Sequence, residues 1–213
     1  MKTTLLVRNN ERFRALAQEL GEADWAAPSL CTGWTNHHVL AHLVIGCGAG
    51  FDEVAREMVS ARGRFDRANT AMARTVADAR RPAQLLQDLE ALVARPRGIG
   101  AAFPKNLLLG DHVIHELDIV FALGRDATVT EEALTAVLRT EVGVPNPFVP
   151  ARRRARGLAL HATDVGWCRP DGSRGAGTVH GAAADLASVL AGRPAALSRL
   201  HGPGVEELRA RVG

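Results

Sequence analysis

The stretch Leu107 to Leu123, LLLGDHVIHELDIVFAL, constrains this chain most, because it sets acids and imidazoles inside an otherwise apolar helix. At 100° per residue, Leu108, Asp111, His112, His115, Asp118, Ile119 and Ala122 fall within a sector of about 120°. Leu107, Leu109, Val113, Ile114, Leu117, Val120 and Phe121 cover the rest. A surface helix shows the reverse proportion, a narrow apolar stripe on a polar cylinder. This helix is therefore expected to be buried, with its polar sector turned toward something polar. Carboxylates and imidazoles are costly to bury unless paired, hydrogen-bonded or bound to a cation. Asp111 and His115, at i and i+4, point the same way, which suits two ligands of one metal and equally a buried acid and imidazole that satisfy each other. His112 does not stack on Asp111 and is left outside the set.

A second helix, capped by Thr35 and followed through Val39 to Phe51, has one imidazole, His42, and no formal charge before Asp52. A helix that is apolar all round belongs in the middle of a fold. His42 must then find an interior partner, and Gly46 and Ala49 on its side leave room for close approach. His38, one turn earlier, can face the same space but lies near the helix start. His42, Asp111 and His115 together make two imidazoles and a carboxylate, the ligand set of an open divalent-metal site that keeps a position for water or substrate. Asp118, one turn beyond His115, suits a carboxylate that orients a ligand imidazole.

Around these two helices, helical periodicity covers Leu5 to Leu20, Asn69 to Ala79, Pro82 to Val93 and Glu131 to Thr140, with Glu22 to Gly33 reading as a loop. Several helices with short connections predict an antiparallel bundle over residues 1–145. PNPFVP and RRRARG read as a linker. Residues 155–213 are expected to form a small α/β domain: a strand over Leu158 to Val165, a turn at RPDGSRG, a return strand at Gly177 to His180 and two short helices.

The bulk numbers exclude several classes. The chain has 46% apolar and 23% charged residues and a net charge of +3, which describes an ordinary globular protein. The one dense basic cluster, Arg152, Arg153, Arg154 and Arg156, stands without tyrosines or a nucleic-acid motif and reads as a solvated segment. Cys31, Cys47 and Cys168 are too few and scattered for a disulfide framework and fit a reducing cytoplasm as core or bystander residues. The N-terminus reaches charged residues at once, and no apolar run is long enough for a bilayer, so a cytoplasmic location is expected. No apolar face demands a partner, and the oligomeric state stays open.

Three segments, LCTGWTNHHVLAHLVIG, DHVIHELD and TVHGAAADLASVLAGRPAALSRLHGPGVEELRARV, resemble, in this order, the mycothiol-dependent maleylpyruvate isomerase family. The resemblance spans nearly the whole chain. It implies a DinB-like antiparallel four-helix bundle followed by a small α/β C-terminal domain. It implies metal ligands at His42 and His115, with Asp111 where relatives carry an acid or a His. It also implies zinc as the metal and mycothiol as cosubstrate. The chain departs from the family pattern at His38, where an acid is usual, and at Thr32, where a Pro is common. A thiol on the metal becomes a thiolate at neutral pH. Such a thiolate adds to an activated double bond and leaves again, giving cis to trans isomerisation, or opens an electrophile and stays attached. Trp34 and Trp167 are candidates for the pocket wall, and Arg74 and Arg193 for contacts to an anionic substrate. Two other readings keep the bundle: a metal-dependent hydrolase, dehydratase or cyclase that uses no thiol, and a metal-binding bundle without catalysis.

Overall fold

The computed structural model describes residues 4–146, 148–170 and 177–212. The chain divides into two compact units, residues 1–126 and 127–213.

In the first unit the helices are α1 (Leu5–Ala17), α2 (Glu22–Ala26), α3 (Asn36–Gly48), α4 (Phe51–Ser60), α5 (Phe65–Ala79), α6 (Pro82–Ala94), α7 (Ile99–Ala102) and α8 (Lys105–Ala122). Local chemistry fixes their ends. Thr4 Oγ1 accepts from the Val7 amide at the start of α1, Thr35 Oγ1 caps α3, and Pro82 supplies a preset φ at the start of α6. Helix α3 packs against α5, α6 and α8, while α1 packs against α6 and α8. The ring α1, α6, α3, α8 is the four-helix bundle, and α5 covers the outer side of α3. Val39, Leu40, Ala41 and Leu43 of α3 and Val113, Leu117, Ile119 and Val120 of α8 are at most 1% exposed, so both helices are core elements as their composition requires. No helix among the described residues is long and apolar enough to cross a membrane.

Two boundaries differ from the sequence reading. The segment taken as a loop contains α2, a single turn that buries Trp25. The helix expected to continue to Phe51 ends at Gly48, and α4 starts afresh at Phe51. A short return segment satisfies the end of α3: the Arg97 amide donates to the Cys47 carbonyl (3.1 Å) and the Ile99 amide to the Ala49 carbonyl (2.9 Å). Gly98 makes this approach with φ +54, and a Cβ there would lie 1.9 Å from the Ala49 oxygen.

The second unit begins with α9 (Glu131–Gly143), capped by Thr130, followed by α10 (Ala151–Arg154). Then come β1 (Ala159–Ala162), β2 (Cys168–Arg169) and β3 (Thr178–Gly181), then α11 (Ala183–Leu190), a 3-10 turn (Pro194–Arg199) and α12 (Val205–Val212). Helix α9 packs on α10 and α11, so its core lies with this unit rather than with the bundle that the sequence periodicity suggested. The sheet order is β2-β1-β3; β1 pairs antiparallel with β2 and parallel with β3. The strand expected at Gly177 to His180 is present, but the antiparallel neighbour of β1 is the short β2. The turn expected at RPDGSRG falls mostly outside the described residues. Leu158, Leu160 and Val179 are fully buried and His161 is exposed, as alternation on a one-sided sheet requires.

Candidate metal centre

Helices α3 and α8 cross with His42, Asp111 and His115 facing one another. The ligating atoms of the three residues all lie within 4.8 Å of one another. His42 Nε2 is 3.5 Å and His115 Nε2 3.6 Å from the same oxygen, Asp111 Oδ1, and the two rings meet edge to face at 4.6 Å between centroids. Gly46 on α3 faces the cluster, and a Cβ added there would be in ordinary contact with Asp111 Oδ2 at 3.4 Å. The imidazoles keep 13% side-chain exposure and Asp111 keeps 38%, so the cluster is open to solvent on the Asp111 side.

The other ring nitrogens are engaged. His42 Nδ1–H donates to Asn69 Oδ1 of α5 at 2.9 Å. His115 Nδ1–H donates to Asp118 Oδ2 at 2.9 Å, and Asp118 is fully buried. With the proton fixed on Nδ1 by an acceptor, each Nε2 presents its lone pair to the common space. Burial raises the Asp111 carboxyl, but with no cation present the protonated His42 and His115 imidazoles, His42 also donating to it, outweigh that effect and hold it at about 2. Asp111 is thus an anion throughout the neutral range.

These donors fit a divalent metal. Separations of 3.5 and 3.6 Å are too long for strong N–H···O bonds. They are close to the roughly 3.3 Å between ligand atoms that a tetrahedral ion with 2.0–2.1 Å bonds imposes. Two neutral nitrogens and one carboxylate, each imidazole backed by its own acceptor, form the ligand set of an ion that keeps a further position for an exchangeable partner.

Sequence reasoning missed two participants. Asn69 stands in the middle of a helix beside the buried Ala68, Met72 and Ala73, and a polar poor helix former at such a place is itself a sign of a partner. Cys31, read as a bystander, half-buried in the loop before α3, donates its thiol to Asp118 Oδ2 at 3.0 Å and lies 3.7 Å from His115 Nδ1. Cys31, His115 and Asp118 form a second close donor cluster. Their spacings of 2.9 and 3.0 Å are hydrogen-bond lengths, which makes Asp118 an acceptor shared by a thiol and an imidazole.

The remaining candidates have other local partners. Trp34 is buried, its ring 5.5 Å from that of His42 and its indole N–H on Thr70 Oγ1 at 3.2 Å, so it walls the His42 side. His38 completes the cap of α3, its Nδ1 accepting from the Thr35 amide at 3.1 Å. Arg74 is exposed and donates to the Gly33 carbonyl at 3.3 Å, bracing the loop before α3. Trp167 and Arg193 belong to the second unit, where Trp167 is buried and Arg193 donates to the Ala191 carbonyl at 2.9 Å. His112 turns away from the cluster toward α1. Its Nε2–H donates to Asn10 Oδ1 (3.0 Å), and its Nδ1 accepts from the Asn9 amide (3.2 Å). Burial pushes it down to about 4. One turn on, Glu116 pairs with Arg12 inside the bundle and accepts from Asn9 (3.2 Å).

Comparison with known proteins agrees with this architecture. Residues 6–107 match the model of the mycothiol maleylpyruvate isomerase N-terminal domain, a span that includes His42 and stops before Asp111 and His115. The crystal structure of a mycothiol-dependent maleylpyruvate isomerase superposes with a TM-score of 0.53 at 16% identity, over 93% of this chain and 90% of that one. That of a histidine-to-alanine mutant of the enzyme gives 0.51 at 15% identity over the same shares. No curated protein matches the chain. Residues 6–107, just under half of the chain, therefore resemble the mycothiol maleylpyruvate isomerase N-terminal domain, on a chain that has the fold of the mycothiol-dependent maleylpyruvate isomerases.

Proposed function

We propose that this protein is a metal-dependent, mycothiol-dependent isomerase or S-transferase acting on a small electrophilic substrate, with His42, Asp111 and His115 as ligands of a divalent metal, zinc in the first instance. The observation that carries the reading is the convergence of two imidazole Nε2 atoms on one carboxylate oxygen, with both Nδ1 atoms already bound to acceptors.

A divalent cation held there supplies Lewis acidity, which makes a bound thiol acidic enough to be a thiolate at neutral pH. The chain's residues do the rest. Asp111 brings the one negative charge, leaving the centre a net positive charge that favours an anionic sulfur. Asp118 and Asn69 hold the protons of His115 and His42 on Nδ1, so neither imidazole can turn its N–H into the reaction space. Trp34 excludes water from the His42 side. No thiol of the bundle serves as the nucleophile in this scheme. Cys47 is pushed up to about 12 by burial and by the nearby Asp111 charge, and Cys31 is committed to Asp118. An external thiol is the role that mycothiol fills, and the partners are then two small molecules, with no nucleic acid or membrane involved, in the cytoplasm.

The test starts with metal. Untagged wild-type protein is expected to carry near-stoichiometric metal, while His115→Ala and Asp111→Ala variants that retain helical circular dichroism lose it. Metal-dependent consumption of mycothiol with a model electrophile, or cis to trans conversion of an activated double bond, is the next measurement. Wild-type protein that takes up no metal on dialysis against zinc refutes the centre. Metal-loaded protein inert toward thiol and electrophile refutes the chemistry.

A further inference from the structure

The second unit carries its own imidazoles and a thiol, residue types that can bind metals. The sheet register sets Cys168 opposite His161 and His161 opposite His180, and an isolated bridge sets His180 opposite His201. Directly opposed residues project from the same face of a sheet, with Cβ atoms about 5 Å apart. One thiol and three imidazoles therefore form a single row across four adjacent backbone segments. The backbone under the row is fixed: Leu160 and Val179 on the reverse face are fully buried, and His180 and His201 exchange amide bonds of 2.7 and 2.9 Å.

The rings are already associated. His161 and His180 stack at 5.1 Å and 28°, and His180 and His201 at 5.4 Å and 16°. Cys168, His161 and His201 are exposed, and His180 is half-buried. Among the described residues, no side-chain hydrogen bond or ion pair engages any of the three imidazoles, in contrast to His42, His112 and His115. A row of unengaged nitrogen donors on a rigid base is unusual for a face whose only task is solvation. The three rings do not converge on one point as stacked, so any ion would be held by a neighbouring pair after rotation of the side chains, for exposed residues a nanosecond motion. Cross-strand spacing of about 5 Å suits two imidazoles closing on one ion with bonds of about 2.0–2.1 Å. Nitrogen and sulfur donors select zinc, copper or nickel over magnesium or calcium.

The geometry points to a second transition-metal site on the exposed face of this sheet, in which His180 and an adjacent imidazole of the row hold a borderline divalent ion. His180 is the shared ligand because it flanks both His161 and His201, and Cys168 extends the donor set beyond His161. The site is independent of the bundle centre and of the function proposed for it.

Zinc stoichiometry separates the two. Chelator-stripped, untagged protein is dialysed against micromolar zinc, and bound metal per chain is measured. The wild type is expected to take up two ions, Asp111→Ala one, His180→Asn one, and the double variant none. In the Asp111→Ala protein, zinc is expected to shift the ring resonances of His161, His180 and His201 and leave those of the buried His112 in place. Should His180→Asn disturb the strand, a protein with both His161→Asn and His201→Asn keeps the strand centre and must lose the same ion. Uptake of a single ion that Asp111→Ala abolishes overturns the sheet site and leaves the bundle centre standing. A single ion that only His180→Asn abolishes does the opposite. A second ion that survives both histidine variants overturns the sheet site.

Discussion

Replacing Asp118 by Asn tests whether the bundle site is built for a metal or is a hydrogen-bonded core. The substitution preserves shape at a fully buried position, removes the charge and turns one acceptor oxygen into an NH2 donor. In the wild type the His115 Nδ1–H bond to Asp118 is 2.9 Å long and charge-assisted. Such a bond contributes about 1.5–3 kcal/mol, against about 0.5–1.5 for its neutral counterpart. The difference of about 1–1.5 kcal/mol corresponds to roughly a tenfold loss of metal affinity. If the amide instead turns its NH2 toward Nδ1, the proton moves to Nε2 and His115 ceases to be a ligand, and the loss grows toward about a hundredfold. Competition for zinc against a chromophoric chelator, with circular dichroism as the control for folding, measures this. Asn69→Ala removes a neutral acceptor from His42 and is expected to cost less, roughly threefold to tenfold. Zinc affinity in folded Asp118→Asn within about twofold of wild type would falsify the assignment of Asp118 as the group that orients a ligand.

Three further outcomes follow from the packing. Arg12→Met strands the Glu116 carboxylate at 0% exposure and is expected to destabilise by about 3–5 kcal/mol, while the double variant Arg12→Met/Glu116→Leu recovers most of that loss in thermal denaturation. The pH dependence has a definite sign. The folded-state value of His112, about 4, lies below the ordinary 6.5, so the unfolded chain takes up the proton first. The stability linked to His112 is therefore complete above pH 6.5 and is lost as pH falls toward 4, up to about 3 kcal/mol. Burial raises Glu116 against the pull of Arg12, and a raised carboxyl works in the opposite sense. His112→Gln should then flatten the acid limb of urea midpoints measured against pH, and an unchanged limb would rule this origin out. Gly98→Ala forces a side chain into a left-handed conformation and onto the Ala49 carbonyl; a cost of more than about 1–2 kcal/mol, read as a lowered melting temperature, is expected, and a neutral effect would contradict the tight return beneath α3.

The three donors were legible in the sequence because helical geometry alone aligns Asp111 with His115, and because His42 sits on a helix with no solvent face. The residues that orient them were not. Asn69 meets His42 across 27 positions and Cys31 meets Asp118 across 87, and such pairings are decided by how helices and loops pack rather than by spacing within one element. The same limit explains α9: its amphipathic pattern announces a helix with one buried face, but the pattern does not say which core receives that face. Helix α2 escaped notice because one turn ending shortly before Pro28 offers too few residues for a period to show. His38 can face the same space by position, and only the Thr35 cap reveals where its Nδ1 is used.

The loop before α3 is fastened to α8 at the ligand-bearing end. The Leu30 amide donates to the Asp118 carbonyl at 3.2 Å, the Cys31 thiol donates to the Asp118 carboxylate, and Arg74 braces the same loop through Gly33. That loop also delivers Trp34 against His42. In the proposed enzyme, two tasks, walling the site beside His42 and orienting His115 through Asp118, would thus share one short segment of chain. Under the proposed function, re-tailoring residues 29–34 toward a bulkier substrate would shift the basicity of His115 at the same stroke, so substrate range and metal affinity would change together.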